Sequence, residues 1–262
     1  MARLQQKVDL RYGELKEMER ANGRSVVLSN STYRKCAEEA SEGQFEFFKG
    51  LLANEYAVRR SNKVARMRRL ANFPCVKDFE GFDWDGIEFP AGFDREDMLS
   101  CDWVDRRENL VLYGGVGNGK SHTSVALGLI ACGQGRRVAF KSTSQLVLDL
   151  NASLAAGTLD ETMRDLARNE MIILDEWGYL PTDPDGAKLL FRVVSMCYER
   201  ISLVLTTNIE FSRWGSIFND EDMAKAMLDR VIHHGRLVTY DRESYRVKHA
   251  LMRGEEASRC RS

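Results

Sequence analysis

Gly114-Gly115-Val116-Gly117-Asn118-Gly119-Lys120-Ser121 is the stretch that decides how this chain folds. It matches G-x-x-x-x-G-K-[ST], and it lies between an apolar run, Asn109–Tyr113, and a helical pattern from Gly119 to about Gly133. Glycines at this spacing let a loop turn its backbone N–H groups inward. At a helix N-terminus those groups form a nest for an anion. Lys120 then reaches the outer phosphates of a nucleoside triphosphate, and the Ser121 hydroxyl offers a ligand for Mg2+. The expected nucleotide site is Gly114–His122, with ATP or GTP and Mg2+ as its occupants.

Downstream of this loop, strands and helices alternate. Arg137–Lys141, Met171–Leu174, Ile201–Thr206 and Leu237–Tyr240 read as strands. Between them lie helical stretches: one capped by Ser144 and carrying Leu146, Val147 and Leu150, then Ala187–Arg200 and Met223–His233. Buried strands separated by helices imply a parallel sheet covered on both faces.

The run Met171-Ile-Ile-Leu-Asp175-Glu176 is an apolar strand ending in two carboxylates. Asp175 is placed to hold the metal, directly or through water. Glu176, just past the strand end, is placed to polarise a water aimed at the γ-phosphate. Asn208 closes the run Thr206-Thr-Asn208 after the next strand. It reads either as a turn-forming asparagine or as a polar group facing the attacking water. Hydrolysis also needs positive charge on the transferring phosphoryl group. Among Arg213, Arg230, Arg236 and Arg246, Arg230 stands out because it is embedded in the apolar helix run Ala226-Met-Leu-Asp-Arg230-Val-Ile. It reads equally as a surface partner of Asp229 or Glu221 and as a residue pointing at a neighbouring subunit's nucleotide.

Upstream the chain is basic. Residues 1–73 hold 15 Lys/Arg against 9 Asp/Glu and the remainder 23 against 30, so a net charge of −1 conceals a basic head on an acidic body. Such a head is suited to a polyanion. Residues 1–30 read as loosely helical, and Ser41–Gln44 has capping-box spacing ahead of Phe48, Leu51, Leu52 and Tyr56. That helix runs into Arg59, Arg60, Lys63, Arg66, Arg68 and Arg69 and should end near Phe73-Pro74. The six cations read as a solvated helix face or as a sequence-independent contact to DNA phosphates. Residues 75–108 read as a linker with aromatic anchors Phe79, Phe82 and Trp84 and a short helix around 94–105.

With 44% apolar residues the chain can bury a core, and it has neither a long apolar span nor a signal-type N-terminus. Its six scattered cysteines lack metal-ligand spacing and fit thiols in a reducing cytoplasm.

Taken together, the motifs resemble an AAA+ ATPase. From about Phe45 to Lys248 the chain is similar to the IstB family of insertion-sequence transposition helpers. The resemblance is carried by GGVGNGKSH at Gly114–His122, DEWGYLP at Asp175–Pro181, and Gly186–Tyr198. Trp214-Gly215 with Phe218 and Asp220, Leu228-Asp-Arg230 with His233-His234, and Ser244-Tyr-Arg246 complete it.

The resemblance implies a P-loop NTPase fold with a parallel five-stranded sheet of order 5-1-4-3-2, a small helical N-terminal domain and no C-terminal lid. The division it implies is a basic DNA- and partner-binding region over 1–73, a linker over 74–108, an AAA+ domain over 109–250 and a tail over 251–262. Asn208 becomes the first sensor and Arg230 an arginine finger acting in trans. The implied partners are duplex DNA, a transposase and further copies of the chain, which assemble with ATP; no membrane is involved.

Some residues depart from the family pattern. The loop lacks the family's common proline and ends in Ser rather than Thr, and both changes keep the chemistry. Residues 1–40 carry no resemblance, and 16 residues after Arg246 are too few for a helical lid. Loaders of the replicative helicase share the subgroup, so a DnaC-type loader is the alternative function. A small-molecule phosphotransferase is disfavoured, since Asp-Glu followed by a sensor Asn prepares water as the nucleophile.

Overall fold

The computed structural model of the chain describes residues 2–22, 28–179, 183–218, 220–242 and Ser244. They form two compact units, divided after Arg66.

The first unit contains α1 (Ala2–Ala21), α2 (Asn30–Glu39) and the larger part of α3 (Glu42–Ala71). Residues 1–30 were expected to be loosely helical, yet α1 is a continuous helix of 20 residues. Its buried face explains the weak pattern. Val8, Arg11, Leu15 and Glu19 follow one helical stripe and are all buried, but two of the four are charged. Both charges are satisfied. Arg11 donates to the Ala40 carbonyl and to Glu42, each at 2.7 Å, and lies over the Phe45 ring, while Glu19 accepts from Lys16. Leu15, Tyr33, Phe45, Leu52 and Tyr56 make the small core. The capping box opening α3 forms as expected: Gln44 N–H donates to Ser41 Oγ at 3.3 Å, and Ser41 N–H donates to Gln44 Oε1 at 2.9 Å.

The second unit carries the sheet. Its elements run β1 (Ile87–Glu88), α4 (Arg95–Ser100), a 3₁₀ turn (Asp102–Val104), β2 (Asn109–Gly114), α5 (Lys120–Gly133) and β3 (Val138–Ser142). Next come α6 (Thr143–Ala155), α7 (Leu159–Leu166), β4 (Met171–Asp175), α8 (Pro184–Cys197) and β5 (Ser202–Thr207). A second 3₁₀ turn (Phe211–Arg213), α9 (Trp214–Phe218), α10 (Glu221–His233) and β6 (Gly235–Tyr240) complete it. The strand order is β1-β6-β2-β5-β4-β3. Its last five strands are parallel and have the expected 5-1-4-3-2 arrangement. The expectation of five strands is corrected to six, because Ile87–Glu88 pairs antiparallel with Tyr240 and Thr239 at the edge. Two residues are too short a run to leave a periodic signal.

Alternation along the strands divides the core. Leu110, Leu112, Met171, Ile173 and Val204 face α5, α4 and Trp103, whereas Val111, Ile172, Leu174, Leu203 and Leu205 face the layer of α6, α7, α8 and α10. Every one of these strand residues is at most 2% exposed, which explains why the strands read as unbroken apolar runs.

The segment 74–108 is not a linker. Met98, Cys101, Trp103 and Val104 are buried in the core of this unit, and the Trp103 indole donates to the Met98 carbonyl. Nor does the division between units fall at residue 73, since Met67 and Ala71 belong to the same core. The helix after β3 is capped by Ser142, not Ser144, with Gln145 N–H donating at 3.2 Å. No helix among the described residues is long and apolar enough to cross a membrane. Leu180–Thr182, Arg246 and the tail over 251–262 lie outside the described residues, as does the question of a lid.

Candidate active site

β2 delivers the chain to Gly114, packed so tightly against Tyr240 that an added Cβ would sit 2.8 Å from the Tyr240 Cβ. Gly117 and Gly119 have φ of +83° and +92°, left-handed values that favour glycine, and the turn they make starts α5 at Lys120. The first N–H groups of α5 thus point from a helix N-terminus into the loop. Lys120 Nζ lies across the loop and donates to the carbonyls of Gly114 at 2.8 Å and Gly115 at 2.5 Å. Asn118 is 4% exposed, and its side-chain amide donates to the Tyr240 carbonyl at 3.1 Å.

β4 brings Asp175 to the same place. Ser121 Oγ donates to Asp175 Oδ1 at 2.8 Å, and Thr206 Oγ1 donates to the same oxygen. The Thr206 oxygen in turn accepts Glu176 N–H at 3.0 Å, and the Thr206 carbonyl accepts Trp177 N–H at 2.8 Å. Glu176 is exposed and has a φ of +59°, an uncommon conformation for a residue with a Cβ. Its neighbours on β5 hold it there, so its carboxylate leaves the sheet edge rather than following the strand. Such strained backbone gathers where a side chain must be aimed.

Residues 117–122, Asp175 and Glu176 line a cleft of about 650 Å3, together with Pro74, Cys75, Phe82, Asp83, Phe140 and Arg242. One wall is a strap, residues 74–83, that lacks helix and strand. Phe79–Phe82 is a turn with Gly81 at φ +65°, closed by Phe82 N–H donating to the Phe79 carbonyl. His122 Nε2 donates to the Asp78 carbonyl at 2.5 Å, which fixes its tautomer, and the ring lies 5.0 Å from that of Phe82.

The structure therefore brings together the loop Gly114–His122, Asp175 and Glu176. Asn208 follows β5 and is half-buried. Its Oδ1 is buried with no hydrogen-bond partner among the described residues, the kind of orphan that a water or ligand satisfies. Arg230 does not line the cleft. Neither Asp229 nor Glu221 holds it; its guanidinium donates to the Ala226 carbonyl at 2.7 Å and lies 4.9 Å over the Phe191 ring. On α3, Arg59, Arg60, Lys63, Arg66, Arg68 and Arg69 are all exposed, and Arg59 pairs with Glu55 at 2.6 Å.

Three participants went unseen in the sequence: Thr206, Arg242 and the strap. A threonine at the C-terminal end of the strand beside Asp175 was the available signal for the first. For the strap the signal was its aromatic anchors Phe79 and Phe82, since its irregular backbone carries no period.

Chemically, the loop offers inward N–H groups and an ammonium for an anion of several charges. Ser121 and Asp175 offer two hard oxygens in mutual contact, the donor set a Mg2+ takes, so the residues fit that ion.

The residues carrying the family resemblance also find physical roles. Trp177 stacks within 5.5 Å of Trp214 and 5.7 Å of Phe218, joining two distant stretches in one buried aromatic cluster behind Glu176. Asp220 caps α10. Tyr198 OH bonds His233 Nδ1 at 3.1 Å and Glu199 bonds His234 at 3.2 Å, linking the end of α8 to the end of α10.

Residues 18–252 match the family model described as IstB-like ATP binding protein. The match reaches back into α1, well before Phe45, so most of residues 1–40 is not an unrelated extension. The chain is 32% identical over 243 residues to a Bacillus thuringiensis subsp. berliner protein named for ATP binding in insertion sequence IS232, covering 92% of this chain and 93% of that one. It is 35% identical over 206 residues to the corresponding IS21 protein of Pseudomonas aeruginosa, covering 78% and 77%. Among solved structures, DnaI is similar with a TM-score of 0.50 at 14% identity, over 66% of this chain and 93% of that one. The replication initiator DnaA bound to AMPPCP and single-stranded DNA gives 0.50 at 18% identity, over 63% and 50%. At such identities these two report the fold alone, that of AAA+ P-loop proteins.

Proposed function

The chain belongs to the IstB-like ATP-binding family and is a P-loop ATPase, and from that premise we propose that it is a DNA-binding regulator of transposition. In this reading it assembles on duplex DNA when it holds ATP and activates a partner transposase in the cytoplasm. The observation that carries the proposal is the contact between Ser121 Oγ and Asp175 Oδ1 at the mouth of the loop, with Glu176 beside it.

The loop N–H groups and Lys120 bind the β- and γ-phosphates. Ser121 and Asp175 hold Mg2+, which supplies charge neutralisation on the phosphates when bound. Glu176 orients a water and takes its proton as the water attacks the γ-phosphorus, whose bond to the β–γ bridging oxygen breaks so that ADP leaves with that oxygen. Asn208 senses that water, which would donate to its orphaned Oδ1, or the phosphate, to which its amide N–H2 would donate. Arg230 serves a neighbouring subunit's nucleotide, consistent with its place outside its own cleft. Arg59, Arg60, Lys63, Arg66, Arg68 and Arg69 contact DNA phosphates without reading sequence. The relatives at 32% and 35% identity are insertion-sequence proteins while the likeness to DnaI is one of fold, which favours the transposition regulator over a helicase loader.

The test is sedimentation with ATP and a duplex of random sequence at rising salt. Large complexes that need ATP and duplex together, and weaken steeply with salt, support the reading. ATP-independent binding, or clustering without DNA, contradicts it.

A further inference from the structure

Arg242 lies two residues beyond β6 and plays no part in the roles assigned above, yet it is built into the cleft. Its Nε donates to the Asn118 carbonyl at 2.8 Å and its Nη1 to the Asp83 carbonyl at 2.5 Å. The guanidinium lies over two rings, 5.0 Å from the Phe82 centroid and 5.8 Å from that of Tyr240. Its remaining nitrogen is packed on the loop's last glycine, since a Cβ on Gly119 would come within 2.5 Å of Nη2. One side chain therefore spans three segments: the loop, the strap and the end of β6.

The consequence falls on Asn118. Its side-chain amide is tied to the Tyr240 carbonyl, and its own carbonyl is tied to Arg242. Both flanking glycines are in left-handed conformations, and glycine populates either sign of φ, so their backbone alone does not fix this peptide. A carbonyl held by a guanidinium cannot rotate into the nest, where it would repel a phosphate. The strap is tied twice as well, at Asp78 by His122 and at Asp83 by Arg242. Arginine suits this task because its planar fork donates in two directions while its face stacks on aromatic rings.

We propose that Arg242 is a positioning residue for nucleotide binding: it holds the Asn118 carbonyl out of the loop and clamps the strap against it, so that the anion nest exists before ATP arrives. Preorganisation of this kind lowers the cost of binding rather than the barrier to hydrolysis, so its loss falls on affinity. The inference rests on the assignment of the loop as the ATP site.

The experiment uses the full chain, its Arg242→Gln, Arg242→Lys and Phe82→Ala variants, and a fluorescent ATP analogue with Mg2+. Steady-state hydrolysis and nucleotide-free melting are measured alongside. If the unaltered chain fails to bind the analogue, the ATP-site assignment falls and not this inference. Given that binding, Arg242→Gln is expected to raise Kd and KM by about 10–100-fold while kcat at saturation stays within about threefold. Arg242→Lys should recover part of the affinity through a single carbonyl, and Phe82→Ala, which keeps both carbonyl ties, should weaken binding by less than Arg242→Gln. Affinity within about twofold of the unaltered chain in Arg242→Gln overturns the proposal, as does a loss confined to kcat. Should Arg242→Gln fail to fold, Arg242→Lys and Phe82→Ala decide: unchanged affinity in both overturns it.

Discussion

Thr206→Val replaces a hydroxyl by a methyl of nearly the same shape, at a residue that is 2% exposed and touches no phosphate-binding group. Two interactions vanish: the bond donated to Asp175 Oδ1, and the bond accepted from Glu176 N–H at 3.0 Å. A hydrogen bond to a charged acceptor contributes about 1.5–3 kcal/mol, and the part-buried Glu176 N–H, left without its partner, costs at most about 1–3 kcal/mol because water reaches this exposed residue. Asp175 is only half-buried, so water recovers part of the first. A net loss of about 2–4 kcal/mol follows, or a fall in Tm of about 5–12 °C for a unit of this size. The larger effect is on turnover. Glu176 sits at φ +59° because Thr206 grips it on one side and the aromatic cluster of Trp177 on the other. Freed on one side, its carboxylate shifts, and a displacement of about 1 Å costs about a hundredfold in rate. Thr206→Val should therefore lower kcat by about 100-fold, keep the Kd for ATP within about threefold, and be largely rescued by Thr206→Ser. A coupled ATPase assay beside calorimetric binding reads both. A Thr206→Val enzyme that turns over within about twofold of the unaltered one refutes the argument that β5 aims Glu176.

Glu176→Gln should bind ATP normally and lose at least about a hundredfold in turnover, so that the assembled state persists; unchanged turnover would assign water activation elsewhere. Arg230→Ala should abolish hydrolysis alone yet regain it when mixed with Lys120→Ala subunits, each supplying what the other lacks, and no recovery on mixing contradicts a role in trans. Burial pushes the thiols of Cys101, Cys132 and Cys197 up to about 12, 11 and 12, so at pH 8 almost none of each is thiolate. Peptide mapping after iodoacetamide should find these three unmodified and Cys75, exposed on the cleft wall, alkylated more slowly when ATP is present. Equal labelling of Cys75 with and without ATP would remove the strap from the nucleotide site.

The sheet was legible because its central strands β2, β4 and β5 are buried on both faces, which leaves apolar runs such as Met171–Leu174 with little ambiguity. The loop was legible because glycine at positive φ is a sequence signal. What escaped was written in other terms. α1 hides behind two buried charges, Arg11 and Glu19, whose partners lie elsewhere in the chain or one turn back. The strap binds through backbone carbonyls, Asp78 and Asp83, and a carbonyl is the same in every residue. Arg242 and Thr206 act through geometry between elements that spacing along the chain does not reveal.

The central claim is that the Gly114–His122 loop holds a triphosphate through its backbone nest and Lys120. Equilibrium binding of MgATP to the purified chain and to Lys120→Ala tests it most directly. Saturable binding that weakens by at least about tenfold in the variant, with the fold intact by circular dichroism, is the predicted result. Absence of binding, or equal affinity in both proteins, would contradict it.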